Sequence, residues 1–183
     1  IKAAAKVITI ANPDVLLLQE IRDWDICQKL ADALAPHQYH VLICSAFRDW
    51  FGSGPGMQQV AILAKKHALA AWSEPWSTKG TIDPPRGYAF AIIRYGTRDL
   101  GFYSIHLKSN LVRGNNPRTR EINILKRELS AEQLVAHSLE VRKTFPEGIH
   151  GFVVAGDFNT NRDEFVSERT LSIFEKAGFV DPF

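Results

Sequence analysis

Short apolar runs, of which residues 15–18 and 151–155 are the clearest, constrain this chain more than any other feature, because they are too brief for helices and apolar on both faces. A strand with two apolar faces must be covered twice, so these segments belong inside a layered α and β arrangement rather than on a half-solvated sheet. The remaining pattern agrees. Residues 3–11 read as a helix stopped by Asn12-Pro13, since proline disfavours helical geometry in the residue before it. A strand over 14–19 follows, then a helix from Asp23 whose Ile26, Leu30 and Leu34 recur at helical spacing up to Pro36, then a strand over 39–44. The stretch 48–57, with Gly52, Gly54, Pro55 and Gly56, reads as a loop, and 59–65 as a strand.

Residues 72–87 carry Trp72, Trp76 and three prolines and read as a long surface loop. Segments 88–95 and 101–107 read as strands joined by the turn Gly96-Thr97-Arg98-Asp99, a hairpin. Asn116-Pro117 is a helix start, and Ile122, Leu125, Leu129, Ala136 and Leu139 continue an apolar face. Ser130 and Gln133 have the spacing of an internal capping box, so one kinked helix and two abutting helices both fit. A last helix over 167–177 stops at Gly178. At least six strands interleaved with helices, one pair antiparallel, predict a mixed α/β or α+β domain, and the length suits a single domain over 1–183.

No apolar run approaches the roughly 18–20 uncharged residues that a membrane helix needs. Cys27 and Cys44 have no C-x-x-C spacing and fit no disulfide framework. Localisation stays open, because Ile1 is no initiator methionine and the sequence predicts a polypeptide that begins further upstream. A net charge of +2 is too small to argue for nucleic acid. The charge is uneven, however: between Lys108 and Glu128 lie six basic residues and two acidic ones.

Three buried strands end in chemically useful groups. Leu16-Leu17-Leu18-Gln19-Glu20 ends in a carboxylate, Ser104-Ile105-His106 in an imidazole, and Val153-Val154-Ala155 runs into Gly156-Asp157-Phe158-Asn159. On one rim of a sheet they would form a set suited to Mg²⁺ and phosphate chemistry. Mg²⁺ takes one or two carboxylates and keeps several waters, a role for Glu20. Asp157 can align and deprotonate a water, Asn159 can hold that water or a phosphate oxygen, and His106, on the face shared with Ser104 and Phe102, can donate to the phosphate or protonate a leaving oxygen. Each also has an ordinary reading: a charged strand end, a core histidine, a turn.

These segments resemble the endonuclease/exonuclease/phosphatase superfamily, the fold of deoxyribonuclease I. The likeness lies in Asn12-Pro13-Asp14-Val15-Leu16-Leu17-Leu18-Gln19-Glu20, Ser104-Ile105-His106-Leu107-Lys108-Ser109 and Gly156-Asp157-Phe158-Asn159, in this order. The resemblance implies a four-layer sandwich of two packed mixed β-sheets flanked by helices, and hydrolysis of phosphoesters with Mg²⁺ or Mn²⁺. It implies Glu20 as the metal ligand, Asp157 as the residue that activates water, Asn159 as a phosphate and transition-state contact, and His106 as acid or phosphate ligand. Members of the superfamily also carry an Asn on a first strand and an Asp-His pair near the C-terminus. Neither pair of signals is in this sequence, so it is expected to be incomplete at both termini, and residues 1–183 alone to be weakly active or inactive. A non-catalytic relative that uses the same sandwich as a binding module is the alternative.

The basic run after His106 fits a solvated helix face, and equally a patch in which Lys108, Arg113, Arg118 or Arg120 attracts an anionic substrate. Asn110, and Arg86 ahead of a strand, are further candidates for holding the phosphate. The substrate is a phosphoester, with nucleic acid, phospholipid and sugar phosphate all open. Trp72 and Trp76 could stack on bases or anchor a loop. The Gly52-to-Gly56 run is no phosphate loop, no Gly-x-Ser-x-Gly supports a serine hydrolase, and His37-x-x-His40 lacks the further ligands of a zinc site.

Overall fold

Alternation decides the core of this molecule, and strand β3 displays it most fully. The computed structural model describes residues 1–34, 38–49, 53–111, 116–145, 148–160 and 167–182. In chain order its elements are α1 (Lys2–Ala11), β1 (Val15–Ile21), α2 (Trp24–Leu34), β2 (His40–Cys44), β3 (Gln59–Ala64), β4 (Ala68–Pro75), β5 (Gly87–Tyr95), β6 (Arg98–His106), α3 (Pro117–Thr144), β7 (Gly151–Asp157) and α4 (Thr170–Lys176). They form two compact units interleaved along the chain: Ile1–Pro75, Arg86–His106 and Ile149–Gly156 in the first, and Trp76–Pro85, Leu107–Gly148 and Asp157–Phe183 in the second.

In the first unit, β1, β3 and β2 form an antiparallel sheet with β3 central. Every residue of β3 is buried, as a strand apolar on both faces requires. Ala61 and Leu63 pack with Ala5 of α1 and with Cys27, Leu30, Ala31 and Leu34 of α2. Val60, Ile62 and Ala64 point the other way, onto Ala89, Ala91 and Ile93 of β5 and Phe102 of β6. The second sheet has the order β4-β5-β6-β7. It is mixed: β4, β5 and β6 pair antiparallel. Strand β7 rises alongside β6, with the His150 amide donating to the Asp99 carbonyl at one end and Gly156 against the Ile105 carbonyl at the other. The predicted α+β sandwich, with two packed sheets, is thus the architecture found. Cys27 and Cys44 are free thiols.

One reading is corrected. Residues 72–75 are not a loop but the end of β4, where Trp72 lies edge-on to Phe90 with ring centroids 4.7 Å apart. Pro75 is tolerated because it closes an edge strand, where a missing N–H leaves little unpaired. Trp76 is buried, so it is no open stacking platform, while Trp72 is half-buried.

The hairpin is tighter than predicted, with Tyr95 paired to Arg98 and only Gly96-Thr97 between them; Gly96 has φ +62°. Behind the turn, Asp99 takes a forked pair from Arg94 at 2.7 and 2.8 Å, and its backbone N–H donates to His150 Nδ1. The Arg94 guanidinium holds the Asp99 carboxyl below its ordinary value of 3.8. A carboxyl depressed in the folded state contributes stability that is present above the unfolded pKa and lost as pH falls through the folded one. Asp99→Asn is therefore expected to be less stable than the parent at pH 7 and to converge with it in strong acid, which urea unfolding at the two pH values would measure.

In the second unit α3 is one continuous helix. Asn116 caps it by accepting from the amides of Arg118 and Thr119, with Pro117 in the first turn as expected. The internal capping box does not form, because Ser130 Oγ donates back to the Lys126 carbonyl and Gln133 engages both backbone groups of Ser77. Its buried face also differs from the apolar stripe read in the sequence. Leu125 and Leu139 are exposed, while Leu129, Leu134 and Val141 are buried together with Lys126, Arg127 and Glu128. Helix α4 begins later than expected because Glu168 and Arg169 are drawn into ion pairs with α3. It ends at Lys176, and Gly178 follows with φ +88°, where the Phe179 amide closes onto the Phe174 carbonyl.

Candidate active site

The polar strand ends expected to carry chemistry fall into two groups, one in each unit. In the first, Glu20 sits at a β-bulge: Leu18 pairs with Ala61 and Ile21 with Gln59, so two residues of β1 lie across from one of β3. The bulge breaks the alternation and turns Glu20 to solvent with φ +55°. Its Oε1 accepts from Gln58 Nε2 at 3.4 Å. Gln58 in turn accepts from Arg86 Nη1 at 2.7 Å, and Arg86 Nε donates to the His106 carbonyl at 3.0 Å. A carboxylate, a carboxamide, a guanidinium and the end of β6 are thus linked in one relay. His106 is 4% exposed, on the face of β6 that carries Ser104. Ser104 accepts from Gln19 and donates to the Leu18 carbonyl, both at 3.0 Å, which ties β6 to the strand that bears Glu20.

In the second unit the exposed Asp157 ends β7. Its Oδ1 accepts from the Asn159 amide at 2.9 Å, and its carbonyl accepts from the Leu107 amide at 2.8 Å. Asn159, at φ +52°, donates from Nδ2 to the Leu107 carbonyl at 3.1 Å and accepts at its own carbonyl from Asn110 Nδ2. The turn is therefore a rigid Asx turn whose first carboxylate oxygen is used internally while the residue faces solvent. Asn110 spends its donors on Asn159, so it supports the turn. Lys108 is half-buried beside it, and its carbonyl accepts from Arg127. Arg120 is exposed on the first turn of α3, and among the described residues no hydrogen bond or ion pair joins it to Asp157 or Asn159. Arg113, His37 and Gly52 lie outside the described residues.

Four described non-glycine residues have positive φ: Asn12, Glu20, Arg86 and Asn159. Asn12 caps α1, where asparagine is at home. The other three are candidate site residues; asparagine tolerates this region at 159 as at 12, so the strain falls on Glu20 and Arg86, and strain of this kind collects where function over-determines a conformation.

The sequence of residues 1–181 matches the model of the Endonuclease/Exonuclease/phosphatase family. The chain belongs to this family. No curated protein sequence matches it. Among solved structures it is similar to an endonuclease/exonuclease/phosphatase family protein from Leptotrichia buccalis, with TM-score 0.62 and 18% identity, over 98% of this chain and 66% of that one. It is similar to sphingomyelinase C from Streptomyces griseocarneus, with TM-score 0.66 and 17% identity, over 98% of this chain and 63% of that one. A third likeness is to ANGEL2, a 2′,3′-cyclic phosphatase, with TM-score 0.61 and 21% identity, over 90% of this chain and 46% of that one. At such identities the likeness is one of fold. The chain spans a little under two thirds of the length of the first two structures and about half of the third.

Several participants in the site carried no sequence signal. Gln58 and Gln59 are adjacent and look interchangeable. Gln58 reaches Glu20 and Arg86, whereas the buried Gln59 holds the glycine-rich loop by bonds to Ser45, Phe47 and Gly56. Arg127 read as part of a solvated basic face and is fully buried.

Proposed function

We propose that this protein hydrolyses phosphoesters with a divalent cation, Mg²⁺ or Mn²⁺. Membership of the family supports the reaction class, and the observation that carries the reading is the Asp157-Phe158-Asn159 turn, built as a fixed presentation of one exposed carboxylate. The donor set suits a hard cation. Glu20 is exposed, touched by a neutral amide, and among the described residues it pairs with no basic side chain. Among the described residues no group of three or more His, Cys, Asp or Glu converges. One or two carboxylates with waters satisfy Mg²⁺. When bound, the cation supplies charge neutralisation to a phosphoryl oxygen.

The chain's own residues then divide the work. Asp157 orients a water and takes its proton as the oxygen attacks phosphorus. The bond from phosphorus to the leaving oxygen breaks, and His106 delivers a proton to that oxygen. Asn159 holds the phosphoryl oxygens without adding negative charge, and Arg86 and Lys108 attract the anion. Glu20 would hold the cation.

The test is turnover by the full-length polypeptide on a generic phosphodiester, plasmid DNA and inositol phosphates, with Mg²⁺ or with EDTA. Hydrolysis that EDTA abolishes and Mg²⁺ restores is expected. Binding of these compounds without turnover would instead mark a non-catalytic relative and overturn the reading.

A further inference from the structure

We infer that Arg127 is a positioning residue for the Asp157-to-Asn159 turn, acting through the backbone of the segment that follows His106. Its side chain is 0% exposed. A charge this deep must be paired, and Arg127 donates from Nε and Nη2 to the two carboxylate oxygens of Glu168 at 2.7 and 2.5 Å. Glu168 is itself 1% exposed and also accepts from Thr170 Oγ1 at 2.6 Å. The remaining arm, Nη1, donates to the Lys108 carbonyl at 2.9 Å.

That last bond gives the pair its direction. Lys108 lies between Leu107, whose amide and carbonyl engage Asp157 and Asn159, and Asn110, whose side chain engages the Asn159 carbonyl. Residues 107–110 are thus the seat of the turn, and Arg127 is the side chain that pins the middle of the seat to α3. A buried ion pair adds little stability over an apolar pair of the same volume, so stability alone does not explain a buried guanidinium here. The adjacent residues supply a control. Glu128 accepts from the Arg169 backbone amide and side chain at 2.8 and 2.7 Å, linking the same helix to the same segment with the charges reversed and with no arm to Lys108.

The kinetic arm of the test rests on the function proposed above, and the exchange arm does not. Arg127→Met with Glu168→Leu removes both charges, keeps the buried volume and leaves the Lys108 carbonyl without its donor. This double variant is expected to unfold near the parent temperature. Its kcat should fall by about 100-fold, as small misplacements of reacting groups do, with little change in KM. Hydrogen exchange at the Leu107 and Asn159 amides, which report the two bonds to Asp157, should rise at least about tenfold while exchange along α3 stays the same. Arg169→Ala should change neither readout. Parent-like exchange at both amides in the double variant, or an equal rise in Arg169→Ala, overturns the inference. Should the double variant fail to fold, Arg127→Lys keeps the charge but cannot serve Glu168 and Lys108 together, and parent-like exchange there is equally fatal. If the parent protein turns over no phosphoester, the functional reading fails and the exchange arm still decides the role of Arg127.

Discussion

Asparagine in place of Asp157 is expected to lower kcat by about 10²- to 10⁴-fold, the range typical of losing a general base. The substitution isolates chemistry from structure. Asp157 Oδ1 accepts from the Asn159 amide at 2.9 Å, and a carboxamide oxygen can do the same, so the turn survives. The main-chain bond from Leu107 to the Asp157 carbonyl involves no side-chain atom. What disappears, on the function proposed above, is the capacity to take a proton from water. Steady-state kinetics on a generic phosphodiester, with thermal unfolding as the control, would check it. A variant that keeps activity within about threefold while folding normally would remove Asp157 from the mechanism.

A large effect on stability is expected at the residue immediately before it, where a close backbone approach coincides with a positive φ. Gly156 has φ +146°, a region that side chains rarely enter, and a Cβ there would lie 2.0 Å from the Ile105 carbonyl oxygen and 2.9 Å from its carbon. Both are backbone atoms of β6, so relief requires β7 to move away from its neighbour. Gly156→Ala is expected to destabilise the fold by more than about 4 kcal/mol, the range reserved for strain that cannot relax. For a chain of this size that is a fall of roughly 10 °C or more in Tm. Gly80 supplies the contrast: its φ is also positive, at +59°, but nothing lies within 4 Å of a Cβ. Alanine at Gly80 should cost only about 1 kcal/mol. Thermal unfolding of the two variants side by side would show the difference, and equal losses would mean that conformation rather than close approach governs both sites.

The fold was readable largely because a strand buried on both faces leaves a continuous apolar signature, as in β3, and because Asn12-Pro13, Asn116-Pro117 and Gly178 mark helix ends by local chemistry; β7, apolar in sequence, is only partly covered, and its Val153 is exposed. The candidate residues Glu20, His106 and Asp157 were visible for the same reason, since each interrupts such a run. What escaped was set by tertiary contact. Composition around Trp72 and Pro75 suggested a loop, yet pairing with β5 made a strand. The bulge at Glu20 depends on how β1 registers with β3, which no periodicity in β1 discloses. Gln58 owes its place in the relay to Arg86, a residue 28 positions away in sequence. Arg127 was indistinguishable in sequence from exposed basic residues such as Arg120 because its partners, Glu168 and the Lys108 carbonyl, are brought to it only by folding.

The left-handed conformations of Glu20, Arg86 and Asn159 bear on how such a protein can change. Glu20 and Arg86 hold the backbone in a well that glycine would occupy more comfortably, at about 1–3 kcal/mol apiece, whereas asparagine at 159 bears it at smaller cost. Selection for thermal robustness alone would drift these positions toward glycine and erase the carboxylate, the guanidinium and the carboxamide together. Robustness and the proposed chemistry therefore make opposite demands on the same few backbone positions.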